Sequence, residues 1–350
     1  MVGQFALIVN SLRPGLSARP PAFIASYWNH FAPFKMAALT GIDSPFGQAE
    51  GHLLFFNHVS NQSKRTESQL IKKTFRAGKK ASRLGARIIG FDPSILALLG
   101  DSAVAIVREL GPAVTSGSGY AAFAAMEALQ KAATQMGIIF EEAAVLILGA
   151  AEPLGSVCTQ ILARDGANHL TLVDSDNARL DLLSRRVLYN CGVACKVSVQ
   201  VSKAVARADL VVVASRAAGM ALRSSDLKPG AIVCNLAAAD EFSLNLINRR
   251  SDVVTFDEAV VRLPGEAVLG CAPGLPAACI CSWMAEAILL ALEGRYDRYF
   301  LGRELHAEKV AGIGRLAGRH GFALSGFTAA GHYFDFADLE NIRANPPVIS

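Results

Sequence analysis

The stretch VLILGAAEPLGS, residues 145–156, is a pattern that could do chemistry. Four apolar residues run into a turn that carries Gly149 and Gly155, with Ala150 and Ala151 between them. In a dinucleotide-binding turn of the form G-x-G-x-x-G, one glycine makes the bend. Another lets the backbone approach a pyrophosphate, and a third lets helix and strand pack closely. Gly149 suits the first role and Ala151 is small enough for the second. Gly155 suits the third, one residue later than the usual spacing. Glu152 is the discordant residue. Beside a diphosphate its carboxylate repels by about 1 kcal/mol in water and by more if desolvated, so it must turn to solvent or meet a cation. Asp174 ends the next apolar run, 25 residues after Gly149. A carboxylate there accepts hydrogen bonds from ribose hydroxyls and repels a 2′-phosphate, which taken alone favours NADH over NADPH. Capping of the following helix is the alternative role. Ser215 closes DLVVVAS and completes a set of proposed cofactor contacts: Gly149, Ala151, Gly155, Asp174 and Ser215. A sheet of this kind that binds something else is the competing reading.

A second pattern lies upstream. Thr115, Ser116, Gly117, Ser118 and Gly119 precede a long helical run from about Tyr120. A helix start behind such a loop leaves N–H groups free to meet an anion or a polar ligand, so Thr115, Ser116, Gly117 and Ser118 are candidate substrate contacts. The third pattern is in the thiols. All seven cysteines lie after residue 157. Cys158 and Cys234 sit in apolar runs where buried thiols are common, and Cys191 and Cys195 flank a short loop. Cys279 and Cys281 are close to a helix start, where a thiol is acidified and becomes a nucleophile; inert core cysteines are the other reading. With no C-x-x-C and no histidine partner spacing, no metal site is expected. A disulfide framework is not expected in a chain of this size. Tyr120 and His320 are possible proton relays, although a lone histidine beside a glycine turn is more often an ordinary surface residue.

These residues need elements to hold them. Apolar runs at Val145–Leu148, His169–Asp174, Lys196–Val201, Leu210–Ser215 and Ala231–Leu236 alternate with helical runs at Leu154–Arg164, Asn177–Asn190 and Ser202–Ala208. That alternation predicts a parallel sheet covered on both faces, a Rossmann-type domain. The chain of 350 residues divides by pattern into residues 1–112, a mixed α/β substrate domain, 113–275, the Rossmann-type domain, and 276–343, helices packing back on the first region. FALIVNSL and HLLFFNHVS read as strands, ARIIGFDPS as a buried strand entering a turn, and PAACICSWMAEAILLALEGRYDRYF as one long helix. The closing ANPPVIS reads as a loose tail.

Residues 64–87 read as an amphipathic helix, with Thr66 and Gln69 in capping-box positions. Leu70, Ile71, Phe75, Ala77, Ala81 and Leu84 form its apolar face. The stretch holds nine basic residues against Glu67 alone, among them Lys72, Lys73, Arg76, Lys79, Lys80 and Arg83. A net charge of only +4 and the lack of aromatic interleaving argue against nucleic acid. No segment has the length and unbroken apolarity of a membrane span. The first residues lack a basic n-region, so they read as a strand and the chain as cytoplasmic.

Several of these stretches together resemble the long-chain acyl-[acyl-carrier-protein] reductases. VTSGSGYAAFAAMEALQKAA is similar to that family's threonine/glycine loop and helix, and VLILGAAEPLGS stands where the family has its cofactor loop. DLVVVASRAAG, LEGRYDRYFLGRELHAEKVAGIGRLAGRHGF and TGIDSPFGQAEGHLLFF have counterparts too, all in collinear order over roughly residues 36–322. The resemblance implies reduction of a fatty acyl thioester to an aldehyde, by way of an enzyme cysteine thioester, with NADPH as reductant. The acyl group arrives on acyl carrier protein or coenzyme A, and the basic helix is then a docking face for the acidic carrier. The sequence departs from the family at Glu152, where the family has glycine, and at Asp174, which suits NADH better than NADPH. It departs again at the nucleophile, whose position falls on Trp283. Cys279 lies four residues earlier, about one helical turn, and is favoured by helical phase. Cys281 could reach if the segment before Ser282 is not helical. A direct carbonyl reductase, or a non-catalytic homologue that binds acyl groups or a carrier, remains as the alternative.

Overall fold

Gly3–Val9 (β1) is buried along almost its whole length, as strands covered on both faces are. In the computed structural model, which describes residues 2–10, 32–56, 64–215, 222–237, 250, 252–270, 274–296 and 305–344, this strand is central to a mixed sheet. Its neighbours are β3 (Gly47–Phe55) and β4 (Ile88–Phe91), both parallel to it. The sheet extends to β2 (Phe34–Ser44), antiparallel to β3, and to β5 (Ala113–Thr115), parallel to β4. A short strand, β13 (Val268–Leu269), closes the β2 edge.

Period-two alternation sends the residues of β1 to opposite faces. Ala6 and Ile8 join Leu54, Ile89 and Phe91 in a core with Leu70, Ala77 and Ala81 of α1 (Lys64–Arg83), and Ile71, Phe75 and Leu84 pack against it. The apolar face read from the sequence is therefore the buried one. The helix begins at Lys64, so Thr66 lies within its first turn and does not precede it. Two shorter helices, α2 (Pro93–Leu99) and α3 (Ala103–Arg108), add Ile95, Leu99, Ile106 and Val107 to the same core.

The chain forms two compact units. The first comprises residues 1–121, 261–304 and 313–323, and the second 122–260, 305–312 and 324–350. The first crossing falls at 121/122, inside α4 (Ser118–Gln135), whereas the boundary read from the sequence is 112/113. The stretch 261–304 rejoins the first unit.

The second unit holds a wholly parallel sheet. Its strands are β6 (Ala144–Leu148), β7 (His169–Val173), β8 (Lys196–Val197), β9 (Leu210–Val213), β10 (Ile232–Asn235) and β11 (Val254–Phe256). The spatial order is β11-β10-β9-β6-β7-β8. Helices α5 (Pro153–Arg164), α6 (Asn177–Cys191) and α7 (Val201–Val205) make the crossovers. From β6 the chain winds outward to β8, then returns to β9 on the other side of β6. The crevice at the carboxyl ends of β6 and β9 is thus a topological switch point. Beyond β11 come β12 (Glu258–Arg262) and, later, the antiparallel hairpin β15 (Ala323–Ala329) and β16 (His332–Asp335), which leads into α10 (Phe336–Ala344). That hairpin interrupts a region read as helical. ANPPVIS lies outside the described residues except for Ala344.

The segment read as one long helix from Pro276 is a strand followed by a helix. Ala278 takes a left-handed φ of 58°, β14 (Cys279–Cys281) is extended, and α8 runs only over Ser282–Leu292. This helix packs on β1, β4 and β3 within the first unit. It is buried nearly all round, in keeping with a run that is apolar on every face. A further helix, α9 (Ala307–His320), follows.

Candidate functional site

At the switch point the turn after β6 has the features its glycines require. Gly149 has φ +80°, and a Cβ there would lie 2.3 Å from Cβ of Ser215. The turns after β6 and β9 therefore touch, through Gly149 and Ser215. At Gly155 a Cβ would lie 2.1 Å from the carbonyl oxygen of Gly149. Close packing of α5 on the turn depends on that missing side chain. Glu152 is the N-cap of α5, extended at φ −68° and ψ 152°, exposed, and its carboxylate makes no capping bond. It does not plug the turn. The first bond of the helix runs from Ser156 N–H to Glu152 O, so the N–H groups of Leu154 and Gly155 precede it and face the end of the helix, as an anion requires.

Asp174 follows β7, and its carboxylate bridges two turns. Oδ2 accepts from Ala151 N–H at 3.0 Å, and Oδ1 accepts from Asp176 N–H at 3.2 Å. Capping of α6 falls to Asp176, which accepts from Arg179 N–H. Capping, the alternative role for Asp174, is therefore not the one it plays. Farther along the same sheet edge, Asn235 and Asp257 are buried, and Asp257 accepts from Ala330 N–H at 2.8 Å. Neither was singled out from sequence, although each ends an apolar run as Asp174 does.

The first unit brings together the other two sequence patterns. Gly117 has φ +72°, and a Cβ on it would lie 2.0 Å from the carbonyl oxygen of Trp283. The Thr115–Gly119 loop therefore lies against the start of α8. Cys281 is the N-cap of that helix and half-buried, whereas Cys279 is fully buried in β14. Helical phase, which favoured Cys279, has no hold on a strand. The partial charges at a helix start favour the thiolate of a cysteine there. Trp283 is 5% exposed. Ser116 and Ser118 hydrogen-bond each other at 2.8 Å, and Ser118 is partly exposed.

The residue missed from sequence is Glu286, in the second turn of α8 and fully buried. Its Oε1 accepts the hydroxyl of Thr115, its Oε2 accepts from Tyr120 N–H at 2.7 Å, and Gly119 N–H also donates to it. Burial pushes its carboxyl up from 4.5 to about 7, against the pull of those three donors. The start of α4, read as open to a ligand, is thus capped from within by a protein carboxylate, and Tyr120 donates its backbone N–H to it. The signal was present: a lone acid inside WMAEAILLAL must find donors.

His320 is fully buried too. Its Nδ1 lies 2.7 Å from Ser44 Oγ and its Nε2 bonds Glu293, which also takes Arg319. This cluster ties the turn after β2 to the end of α9, which is a structural task. On α1, Lys72, Arg76, Lys79 and Arg83 are exposed and recur at helical spacing. Lys73 and Lys80 depart from the docking role read for them. Lys73 is 5% exposed, 5.7 Å from the centroid of the Phe56 ring, and burial, then Arg76, pushes its ammonium down to about 8. Lys80 is half-buried and donates to the Pro33 carbonyl at 3.2 Å. Cys158 and Cys234 are buried as read, and burial pushes the Cys158 thiol up to about 12. Among the described residues no cluster of His, Cys, Asp and Glu could hold a metal ion, and no helix is long and apolar enough to cross a membrane.

The strand order and the glycine turn at its switch point define a Rossmann-type α/β protein carrying a second, mixed α/β unit. No family model matches the chain. It is 26% identical over 270 residues to "Aminotransferase PigE" from Serratia sp. (strain ATCC 39006), a match that covers 74% of this chain. The chain spans only 30% of that protein's length, and the activity in its name is a statement about that protein. Among solved structures, the chain is similar to L-tryptophan dehydrogenase from Nostoc punctiforme, at 12% identity over 99% of this chain and 88% of that one, with a TM-score of 0.40. It is also similar to quinate dehydrogenase from Corynebacterium glutamicum in complex with NAD, at 16% identity over 67% and 80%, with a TM-score of 0.30. The fold assignment here rests on the strand order itself.

Proposed function

We propose that this chain is a NAD(P)H-dependent oxidoreductase that reduces a fatty acyl thioester to an aldehyde, with Cys281 as the residue that takes the acyl group. The observation that carries the reading is the place of Cys281, at the N-cap of α8 with the Thr115–Gly119 loop packed against the same helix start. The collinear resemblance to acyl-[acyl-carrier-protein] reductases supports it. The Cys281 thiolate attacks the thioester carbonyl, a new C–S bond forms, the old one breaks, and the departing thiolate takes a proton from solvent. The helix start stabilises the attacking thiolate, and the partly exposed Ser118 hydroxyl is available to the acyl oxygen. Gly149, Ala151, Gly155, Asp174 and Ser215 are the residues that would hold the dinucleotide, which supplies hydride when bound. The fit is supported by the outward turn of Glu152 and the open N–H groups of Leu154 and Gly155. Fixed by the turn, the Asp174 carboxylate favours NADH over NADPH.

Incubation with palmitoyl-coenzyme A, followed by mass spectrometry of the intact chain, tests the reading. A palmitoyl adduct is expected in the wild type and in Cys279→Ser, and none in Cys281→Ser. A wild type that forms no adduct, and consumes neither NADH nor NADPH with the thioester present, would overturn it. NADH consumption that survives Cys281→Ser would mean direct carbonyl reduction.

A further inference from the structure

Glu286 is an acid in a helix that is otherwise apolar, and it is fully buried. Such a group persists only if it is hydrogen-bonded, and its loss leaves its former donors unpaired. Its three donors, the Thr115 hydroxyl and the N–H groups of Gly119 and Tyr120, all come from one loop and the helix start behind it. Thr115 Oγ1 also accepts from Gly117 N–H at 3.1 Å, so the carboxylate reaches the middle of the loop through that hydroxyl. On the other side, Gly117 leans directly on the main chain of Trp283. The loop is therefore held at both ends by one helix, α8, whose N-cap is Cys281. We propose that Glu286 is a positioning residue that clamps the Thr115–Tyr120 loop onto the start of α8, so that the hydroxyls of Ser116 and Ser118 meet the acyl thioester beside Cys281.

Glu286 touches no acyl group in this scheme; it acts through Thr115 and the two N–H groups. A glutamine in its place keeps the size but presents an NH2 to donors that need an acceptor. The loop then loses at least one bond, while the apolar packing of α8 on the sheet is kept. The role assigned to the clamp rests on the proposed function, but the clamp itself can be read without any activity.

Two measurements on the full chain separate these levels. Hydrogen exchange over residues 115–120, at one pH, is expected to be about tenfold or more faster in Glu286→Gln than in the wild type, with exchange over β6–β7 unchanged. Thr115→Val removes a single donor and leaves the carboxylate in place, so it keeps the test open if Glu286→Gln fails to fold; a smaller acceleration is expected there. In parallel, the rate of palmitoyl transfer to Cys281 at saturating palmitoyl-coenzyme A is expected to fall about tenfold or more in the same variants, with the Kd for NADH unchanged. That split distinguishes positioning from general loss of structure. Unchanged exchange over 115–120 in both folded variants would overturn the clamp. Accelerated exchange with an unchanged transfer rate would overturn its role in positioning. A wild type that takes up no palmitoyl group would sink the proposed function while the exchange result still stands.

Discussion

The carboxylate of Glu286 accepts the hydroxyl of Thr115 inside the first unit, with no exposed surface on either residue. Burial has moved the Glu286 carboxyl from 4.5 to about 7, so the folded chain keeps this proton over a range in which the unfolded chain has lost it. Between those values the native state binds more protons, and raising the pH favours unfolding. Stability from this residue is therefore greatest below about pH 4.5 and falls as pH rises to about 7, by a total on the order of 3 kcal/mol. Urea unfolding at a series of pH values, in the wild type and in Glu286→Gln, reads that slope. The variant is expected to lose the downward component between these two pH values; equal slopes in the two proteins would contradict it.

The second prediction concerns Gly155. A Cβ there meets the Gly149 carbonyl oxygen at 2.1 Å, a backbone atom that cannot swing aside. Gly155→Ala is expected to lower stability by about 1–3 kcal/mol, as overpacking does, and to weaken NADH binding by widening the turn. Gly166→Ala is a control of another kind. Gly166 has φ +109° and the nearest foreign atom at 3.7 Å, so it should cost stability through its backbone alone and leave NADH binding intact. Thermal melts and calorimetric titration with NADH read both effects, and unimpaired binding by Gly155→Ala would refute the close-packing role.

Much of this was legible in the sequence because one residue decided each feature. Four of the five strands read between Val145 and Leu236 are short apolar runs bounded by turn residues and form close to where they were read, whereas Lys196–Val201 is a strand only over Lys196–Val197, with Val201 already helical. Gly149 and Gly155 are informative because no other residue fits their places. Legibility failed where partners far apart in the chain decide the outcome. The extended state of Cys279–Cys281 follows a left-handed Ala278, which no propensity signals. Strand β2 carries Gly41 and Asp43 and owes its existence to pairing with β3. Glu286 and Thr115 are separated by 171 positions, so neither side of their bond is visible from the other's neighbourhood. Lys73 is one of eight basic residues of one helix, and only its place over Phe56 shows that it faces inward.

Asp174 carries the third prediction. On the proposed function its charge is what a 2′-phosphate would meet, while its Oδ2 accepts from Ala151 N–H. Asp174→Asn keeps an acceptor for that N–H, turns its NH2 toward Asp176 N–H at the cost of that bond, and removes the charge. On the proposed function, the variant is expected to weaken NADH binding by about tenfold, the worth of a charge-assisted hydrogen bond, and to strengthen NADPH binding relative to NADH. Titration with each cofactor reads the ratio of the two Kd values. A ratio unmoved by the substitution would mean that the ribose lies elsewhere.

The fourth prediction separates the two kinds of lysine on α1. Lys72, Arg76, Lys79 and Arg83 form an exposed stripe; if, on the proposed function, the acyl group arrives on an acidic carrier protein, such a stripe would act on it mainly through the rate of encounter. Reversing Arg76 and Lys79 together to Glu is expected to lower kcat/KM for an acyl carrier protein substrate by about an order of magnitude at low salt, and by less as salt screens the field. An uncharged acyl-cysteamine thioester, with no field to feel, should be turned over as before. Lys73→Met should behave in the opposite way. Its side chain is buried over Phe56, so the change is expected to leave carrier kinetics untouched. If Lys73→Met instead slowed the carrier reaction as much as the double reversal, docking would not run along the exposed stripe.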